Sequence, residues 1–476
     1  MKRTKIIATI GPASEQLPML EKMAKAGMDV CRLNFSFGTH AEHLHKVKLI
    51  REASRRTGKS LAILQDLQGP KIRIGKLKAP VQVKPGDEIV LSGNTSHKSS
   101  FYLPTTYPKI ASDTQAGKTI LLADGRIILQ VKSVDPRKKE VVCKVTCGGT
   151  ILTGKGINLP YTDISMPALT KKDIEDAKVG IKAGVDAMAL SFVRSAEDIM
   201  KLRRLLKKEN YDIPIIAKLE KPEALDNLDE IIEAADGVMV ARGDLADEIS
   251  FEYVPVAQKK IITAANAKTK LTIIATEMLN SMVENPLPTR AEVSDVANGV
   301  LDGADIVMLS NETATGKYPV KAVQTMAKIV REAENILPAE HYLKNVKTHK
   351  KGAVTEAMCF AASFLSHELN ERAVAVLTSS GNTARLMAKT RPESPIFAAT
   401  SNEHIYYRMA LYNNVWPILL HSASIEDTRE AYTEFKDMVI SGKLAKKGDL
   451  IITLNGIHPK GGSWSLNSIH TVVLGR

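Results

Sequence analysis

Eight short apolar runs constrain the fold of this chain more than any other feature of its sequence. Most of the runs end in a polar or charged residue, and helical patterns separate them. Continuous apolar runs of this kind are typical of parallel strands that are buried on both faces. The runs are Lys5–Ile10, Asp29–Asn34, Leu61–Asp66, Ala187–Ser191, Pro214–Lys218, Gly237–Arg242, Leu271–Thr276 and Ile306–Ser310. Eight such strands predict an α/β fold built on a closed (β/α)8 TIM barrel.

Polar side chains at the ends of these runs predict where an active site would lie. In a (β/α)8 barrel the carboxyl ends of the strands form one face, and that face carries the chemistry. The residues expected there are Asn34, Asp66, Ser191, Lys218, Arg242, Thr276 and Ser310. The sequence therefore predicts an enzyme whose site lies at this face.

The alternation of strands and helices is interrupted once along the chain. Residues 70–168 contain short strand patterns with Pro-Gly-Asp and Asp-Gly turn signals. We expect them to form a small all-β domain inserted after the third barrel strand. Such an insertion rises from the catalytic face, so we interpret it as a lid. The catalytic barrel then comprises residues 1–69 and 169–338.

Residues 339–476 predict a separate C-terminal α/β domain. After a charged linker, a helix is expected over Ala353–Leu369, and the predicted strands are Ala373–Thr378, Ile396–Ala399, Leu450–Leu454 and Ser468–Leu474. The loop after the first of these strands contains Thr378, Ser379, Ser380, Asn382 and Thr383. Hydroxyls before a helix N-terminus are typical of a phosphate-binding loop, although the same residues also suit simple helix capping. A second loop, residues 457–463, could close over a bound phosphate.

Composition narrows the class of protein. The longest apolar runs are far shorter than the ~18 residues that span a bilayer, and no signal sequence is evident. Four cysteines in 476 residues do not form a disulfide framework. The net charge of +12 is spread along the chain, and aromatic residues make up only 5%, which argues against nucleic-acid binding. We expect a cytoplasmic protein, without nucleic-acid or membrane partners, that acts on anionic small molecules.

The strongest chemical signal is the pair of segments Lys218-Leu219-Glu220 and Arg242-Gly243-Asp244. Residues two apart on a strand share a face, so Lys218 and Glu220 are expected to point into one cavity beside Asp244. Two carboxylates suit Mg2+ or Mn2+, and a nearby lysine suits a transferring phosphoryl group. The alternative is a structural salt bridge between the lysine and one carboxylate.

At these residues the chain resembles the pyruvate kinase family, and the resemblance extends over its whole length. The matching segments are Thr4–Ser14, Arg32–Ser36, Gly69–Arg73, Lys155–Pro160, Met239–Leu245 and Pro288–Asn298. The resemblance implies transfer of a phosphoryl group from phosphoenolpyruvate to ADP, which gives pyruvate and ATP in glycolysis. It also implies Mg2+ (or Mn2+), a homotetramer and a phosphorylated allosteric effector at the C-terminal loop.

The resemblance also implies a role for individual residues. Lys218 would steady the phosphoryl group, Glu220 and Asp244 would hold the divalent cation, and the backbone of Gly243 and Asp244 would bind the substrate carboxylate. Thr276 would contact that carboxylate and deliver the proton, with Ser310 and Glu312 extending the relay. The residues expected at the nucleotide are Arg32, Asn34, Arg73 and Lys155, and Arg32 is also expected to act in catalysis.

One segment predicts independence from monovalent cations. Members of the family that need K+ resemble Asp-Thr-Lys-Gly-Pro-Glu where this chain has Asp66-Leu67-Gln68-Gly69-Pro70-Lys71. The ammonium of Lys71 can supply the single charge of a bound K+. The other residues implied in this region, Asn34, Ser36 and Asp66, are present. We therefore expect that K+ is not required.

Two other functions remain open at this point. A metal-dependent lyase acting on pyruvate enolates would use a similar barrel with Glu and Asp on Mg2+, but it would not need the lid or the nucleotide-binding arginines. A catalytically inactive sensor of phosphorylated metabolites would need only the C-terminal loop. The sequence does not identify the effector. Phe37, Glu277 and Asn311 depart from the family pattern, and the effect of these residues on the rate stays open.

Overall fold

Three parallel strands and two helices begin the fold. The computed structural model of the chain describes residues 1–94, 101–123, 125–337, 353–369, 371–421, 428–455 and 468–475. The first elements are β1 (Lys5–Thr9), α1 (Leu17–Ala26), β2 (Val30–Asn34), α2 (His40–Thr57) and β3 (Ala62–Asp66). β1 pairs with β2 and β2 with β3, all in parallel. Every residue of β1 and β3 is buried, as expected for strands covered on both faces.

The next segment is almost entirely β-structure. Its elements are β4 (Val81–Val83), β5 (Glu88–Ser92), β6 (Tyr102–Pro104), α3 (Ile110–Asp113), β7 (Thr119–Leu122), β8 (Ile127–Asp135), β9 (Glu140–Cys147), β10 (Gly149–Ile151) and β11 (Ile157–Asn158). Six of the strands form one sheet in the order β11-β7-β8-β9-β5-β6, and β10 pairs with β4. This is the inserted lid that the turn signals predicted. Its apolar side chains form a core of their own, separate from the barrel core.

Five further strands close the barrel. They are β12 (Ala187–Leu190), β13 (Ile215–Leu219), β14 (Gly237–Ala241), β15 (Leu271–Ala275) and β16 (Ile306–Leu309). The closed order is β1-β16-β15-β14-β13-β12-β3-β2, and all pairs are parallel. The eight apolar runs are thus the eight barrel strands, and the prediction of a TIM barrel is confirmed.

The helices of this part alternate with the strands or follow the last strand. They are α4 (Lys171–Ala183), α5 (Ala196–Lys208), α6 (Pro222–Asp226), α7 (Leu228–Ala234), α8 (Arg242–Ala246), α9 (Val254–Ala267), α10 (Arg290–Leu301), α11 (Asn311–Ala314) and α12 (Pro319–Glu334), with short 3-10 turns at Phe251–Tyr253 and Asn280–Val283. Three helices begin with a capping box, in which a threonine side chain and an acidic residue bond each other's backbone N–H groups. Such caps fix where the helices α2, α4 and α10 begin.

The C-terminal part forms a five-stranded sheet with helices. Its elements are α13 (Ala353–Leu369), β17 (Ala373–Leu377), α14 (Asn382–Lys389), β18 (Ile396–Thr400), α15 (Glu403–Arg408), a 3-10 turn (Met409–Leu411), β19 (Val415–Leu419), α16 (Thr428–Ser441), β20 (Leu450–Asn455) and β21 (Ser468–Val473). The strand order is β19-β18-β17-β20-β21. The sequence did not predict β19, which contains Pro417. Proline is tolerated in this strand because β19 lies at the edge of the sheet.

Buried cations attach the C-terminal sheet to the barrel end that is opposite the strand carboxyl ends. Lys5 Nζ, at the start of β1, donates a 2.6 Å hydrogen bond to the Val415 carbonyl. Lys389, the last residue of α14, is ion-paired with buried Asp305, just before β16. Arg391 lies 2.7 Å from the other oxygen of Asp305. Among the described residues, no helix combines the length and the apolar character needed to cross a membrane.

Candidate active site

The Lys218 ammonium lies at the centre of a polar cluster at the carboxyl ends of the barrel strands. It is 3.2 Å from Asp66 Oδ1, at the end of β3, and 2.9 Å from Glu220 Oε1, just after β13. It also donates a 2.7 Å hydrogen bond to Ser191 Oγ, and this hydroxyl donates to the Leu67 carbonyl. Residues that are distant in the sequence meet here because parallel strands end at the same face.

The charges of neighbouring side chains determine whether Lys218 and Asp66 are protonated. Burial lowers the pKa of Lys218, but the nearby Asp66 and Glu220 carboxylates outweigh burial and raise the pKa above its usual value. Burial raises the pKa of Asp66, yet Lys218 and Arg32 bring it below the usual range. Lys218 is therefore a permanent cation, and Asp66 a permanent anion, near neutral pH. A buried ammonium with fixed carboxylates can neutralise a phosphoryl group in transit.

Glu220 and Asp244 are candidates for holding a divalent cation. Glu220 Oε2 accepts a 2.8 Å hydrogen bond from the Phe192 N–H. Its Oε1 lies 2.9 Å from the Lys218 ammonium. Burial and the Asp244 charge raise the pKa of Glu220. Two neighbouring carboxylates that repel each other fit a hard cation such as Mg2+.

The described part of the chain contains no group of three or more His, Cys, Asp or Glu side chains placed to hold a metal. A divalent cation at this site would therefore rely on the two carboxylates of Glu220 and Asp244. Mg2+ commonly binds in this way, since it keeps several waters and takes oxygens from substrate phosphates. The side chains present at the strand ends thus fit Mg2+ together with a phosphorylated substrate.

Thr276 adopts a strained backbone conformation at the end of β15. Its φ is +69°, and that of Glu277 is +57°, a region that β-branched residues rarely occupy. Thr276 Oγ1 accepts a 2.8 Å hydrogen bond from the Gly243 N–H and donates to the Ala275 carbonyl. A Cβ on Gly243 would lie 3.4 Å from this Oγ1. The glycine thus lets the α8 backbone approach Thr276 closely.

Arg242 fixes this arrangement, and the sequence assigned it no role. Its Nη2 donates a 2.8 Å hydrogen bond to the Thr276 carbonyl, and its Nη1 lies 2.6 Å from Asp295 Oδ1 on α10. No signal in the sequence indicated that Arg242 would reach the end of β15, because its partners Thr276 and Asp295 lie more than thirty residues further along the chain.

Ser310 and Glu312 lie after β16, beside this region of the site. Glu312 is buried, and its two carboxylate oxygens accept hydrogen bonds from the Leu279 and Ser310 N–H groups. The Ser310 hydroxyl oxygen is buried and has no hydrogen-bond partner within the described residues. Glu312 therefore organises two loops, while the Ser310 hydroxyl is available to another group.

Arg32 is joined to the Lys218 cluster through Asp66, and the residues predicted for the monovalent-cation region lie on the neighbouring strand ends and at the start of the lid. Arg32 Nε lies 2.7 Å from Asp66 Oδ2, and Arg32 Nη1 donates to Thr9 Oγ1. Asn34 Oδ1 accepts a hydrogen bond from the Ser36 N–H, and Leu67 is fully buried. Lys71 Nζ lies 3.2 Å from Asp244 Oδ1. Its ammonium therefore neutralises a carboxylate of the proposed metal pair.

The lid residues Arg73 and Lys155 lie on two neighbouring segments. Arg73 forms an isolated bridge with Gly156, and its Nη1 donates a 2.9 Å hydrogen bond to the Gly154 carbonyl. The Lys155 carbonyl accepts from the Ile74 N–H, and the Lys155 side chain is exposed. The backbone therefore brings these two cationic residues into one part of the lid.

The candidate effector loop lies in a different part of the molecule. Thr378 Oγ1 accepts a 2.9 Å hydrogen bond from the Gly381 N–H, before α14. Arg385, on the same helix, donates to the Thr269 carbonyl at the start of β15. The helix that follows the loop thus contacts the barrel end opposite Lys218. The second predicted loop, residues 457–463, lies outside the described residues.

Comparison with known proteins identifies two matching family models. Residues 1–323 match the model for the pyruvate kinase barrel domain, and residues 356–470 match that for the pyruvate kinase alpha/beta domain. A pyruvate kinase from Geobacillus stearothermophilus is 42% identical over 476 residues, which cover 99% of this chain and 80% of that protein. The pyruvate kinase of Staphylococcus saprophyticus is also 42% identical, and that of Bacillus licheniformis is 40% identical, each with 99% of this chain and 81% of the relative covered.

Proposed function

The chain belongs to the pyruvate kinase family, and from this premise we propose which of its residues carry the family reaction. The reaction transfers a phosphoryl group from phosphoenolpyruvate to ADP and yields pyruvate and ATP, a step of glycolysis. The full-length matches favour this activity over the lyase and sensor alternatives. The observation that carries the residue assignment is the Lys218 ammonium held between Asp66 and Glu220.

Lys218 stabilises the phosphoryl group during its transfer. Its charge is fixed by two carboxylates, so it needs no reorganisation when negative charge shifts from one oxygen to another. Glu220 and Asp244 hold the divalent cation that the family requires, here Mg2+ or Mn2+, which when bound neutralises phosphate charge. Arg32 adds a second cation at the same strand ends. Positioned cations supply most of the catalysis in phosphoryl transfer, because little covalent work falls to the protein.

The substrate carboxylate binds at the start of α8, at the backbone of Gly243 and Asp244. The Gly243 N–H donates to Thr276 Oγ1, so the threonine hydroxyl lies next to a donor suited to an anionic oxygen. Thr276 contacts the carboxylate and delivers the proton to the enolate. The unbonded Ser310 hydroxyl supports a relay to this threonine.

The nucleotide lies under the lid. Arg73 and Lys155 bind its phosphates, together with Arg32 and Asn34 on β2. Exposed or half-buried cations on the lid support this role, since arginine donors match phosphate oxygens in pairs. Lys71 replaces K+, which the enzyme does not require. Its contact with Asp244 supports this substitution, because the ammonium brings a single positive charge to the catalytic carboxylates.

Several broader features are also proposals. The barrel comprises residues 1–69 and 169–338, the lid 70–168 and the C-terminal regulatory domain 339–476. Phosphate of an allosteric effector binds the loop with Thr378, Ser379, Ser380, Asn382 and Thr383. The enzyme is cytoplasmic and forms a homotetramer.

The decisive experiment measures pyruvate formation from phosphoenolpyruvate and ADP with Mg2+, first with tetramethylammonium as the only monovalent cation and then with K+. Strong turnover before K+ is added supports both the kinase activity and the role of Lys71. Turnover only after K+ is added keeps the reaction and overturns the role of Lys71. No turnover under either condition would contradict the activity itself.

A further inference from the structure

The two lid segments that carry the nucleotide-binding cations form a single ladder. Ile72 and Ile74 on the first segment exchange backbone hydrogen bonds with the second: the Ile157 N–H donates to the Ile72 carbonyl at 2.9 Å, and the Ile74 N–H donates to the Lys155 carbonyl at 2.8 Å. Arg73 lies between these bonds. Any contact that fixes the ladder against the barrel therefore fixes Arg73 and Lys155 at the same time.

Such a contact exists three residues after Lys155. Asn158, on β11, donates a 3.2 Å hydrogen bond from Nδ2 to Glu248 Oε1. Glu248 belongs to the barrel and follows α8, four residues after Asp244. The same oxygen of Glu248 lies 2.7 Å from Lys221 Nζ, and Lys221 directly follows Glu220. We call Asn158, Lys221 and Glu248 the hinge tether.

The barrel half of the hinge tether is a rigid anchor. The side chains of Lys221 and Glu248 are 6% and 1% exposed. A buried carboxylate is costly unless it is paired and hydrogen-bonded, so Glu248 has few alternative positions. The lid also approaches the barrel next to this anchor, since a Cβ on Gly125 would lie 3.5 Å from Asp247 Oδ1.

Lys71 lies in the hinge, the segment where the chain passes from the barrel into the lid, and it contacts α8 through Asp244. That contact involves a carboxylate assigned to the divalent cation. The Asn158–Glu248 contact involves no residue assigned to substrate, nucleotide or metal. It can therefore persist throughout the reaction.

We propose that Asn158 and Glu248 are positioning residues that fix the lid over the strand ends and so place Arg73 and Lys155 at the nucleotide phosphates. This inference rests on the proposed nucleotide role of those two cations. The hinge tether does not touch the reacting atoms. Its loss should weaken ADP binding without removing the phosphoryl-transfer machinery around Lys218.

The test is a steady-state comparison of Asn158→Ala with Asn94→Ala. Asn94 is a matched control because its side chain donates within the lid, to the Lys138 carbonyl. Asn158→Ala should raise the KM for ADP about tenfold, in line with the loss of a hydrogen bond to a charged acceptor, and change the KM for phosphoenolpyruvate and kcat much less. Asn94→Ala should leave the KM for ADP unchanged.

Two double variants separate the effect of the Asn158 hydrogen bond on ADP binding from the effect of the Lys221–Glu248 ion pair on stability. Lys221→Met with Glu248→Gln removes both charges but keeps a carbonyl oxygen for Asn158, so the KM for ADP should stay near that of the wild type. Lys221→Met with Glu248→Leu removes the charges and the acceptor, so the KM for ADP should rise as in Asn158→Ala. Thermal unfolding shows whether each variant folds.

The outcomes distinguish the role of the hinge tether from the proposed nucleotide role of Lys155. If Lys155→Ala raises the KM for ADP and Asn158→Ala does not, the hinge tether is refuted and the nucleotide role of Lys155 stands. If Lys155→Ala also leaves the KM for ADP unchanged, the proposed nucleotide site itself is wrong. If Asn158→Ala lowers kcat and raises the KM values for ADP and phosphoenolpyruvate by similar factors, Asn158 is a merely structural residue and the proposal is overturned.

Discussion

The Lys71 ammonium lies 3.2 Å from Oδ1 of Asp244 and joins the start of the lid to the catalytic end of β14. Burial raises the pKa of Asp244, but Lys71 and Lys218 bring it below its usual range. The Asp244 carboxylate is therefore ionised, and the Lys71 ammonium balances its negative charge. A hinge residue thus contributes charge to the strand ends without belonging to the barrel.

Replacing Lys71 tests the origin of this charge. Lys71→Glu should lose most of its activity in tetramethylammonium and regain it when K+ is added, because a carboxylate at the hinge removes the built-in cation and creates a place for a bound one. The wild type should respond little to K+ in the same pyruvate assay. A Lys71→Glu variant that is indifferent to K+ would refute the substitution of lysine for potassium.

Lys218→Met should abolish phosphoryl transfer, with kcat reduced about a thousandfold or more, because a preorganised charge next to the transferring group is lost. The fold should persist, since methionine fills most of the same volume and the barrel core lies beneath it. Initial-rate assays measure kcat, and circular dichroism shows whether the fold persists. Turnover within about tenfold of the wild type would contradict the role given to Lys218.

Thr276→Ala should reduce kcat about a hundredfold and slow the exchange of pyruvate methyl protons with solvent, because a hydroxyl that delivers the proton is removed. NMR in D2O measures the exchange. Thr315→Ala is the control, since Thr315 is exposed, follows α11, and its hydroxyl donates to the Asn311 carbonyl. Unchanged exchange in Thr276→Ala would assign proton delivery to another group.

Ser380→Asp should abolish binding of phosphorylated effectors at the C-terminal loop, because a carboxylate repels phosphate at a helix N-terminus. Isothermal titration with sugar phosphates and AMP measures the binding. The basal rate without effector should not change, since the loop lies in the C-terminal part, whose helix contacts the barrel end opposite Lys218. If the wild type binds none of these compounds, the hydroxyls of the loop serve only as caps.

Lys5 should make the free energy of unfolding depend on pH. Burial lowers its pKa from 10.5 to about 7, and the nearby charges that modify this value are Asp29, Lys2, Lys59 and Glu334. Between pH 7 and 10.5 the unfolded chain holds a proton that the folded chain has released, so stability rises with pH by at most about 1.4 kcal/mol per pH unit from this group. Below pH 7 this contribution is constant.

The comparison with Lys5→Met isolates that slope. Urea unfolding at pH 6, 7, 8 and 9 should show the wild type gaining stability relative to the variant only above pH 7. The Val415 hydrogen bond is lost in the variant at every pH and so shifts the difference without changing its slope. A difference that is constant from pH 6 to 9 would show that Lys5 does not titrate in this range.

The sequence predicted the barrel because its signal is local and repeated. Each strand is buried on both faces, so each one consists of a short apolar run. Lys218 and Thr276 lie at the ends of such runs, and this position predicted that they belong to the catalytic face. The edge strand at Val415–Leu419 escaped prediction, because Pro417 interrupts the strand pattern and is tolerated only where one side of the strand is unpaired.

The sequence by itself therefore determined the fold class, the lid insertion and the residue types available at the catalytic face. Only the tertiary structure decided which of these side chains meet. Lys71 and Asp244 are separated by more than 170 positions, and the Lys221–Glu248 pair is bridged to Asn158 from a different sheet. Burial patterns record whether a residue faces the core, but ion pairs between loops depend on the closure of the barrel and on the angle of the lid. Those relationships are fixed by packing across the whole chain, and no local pattern encodes them.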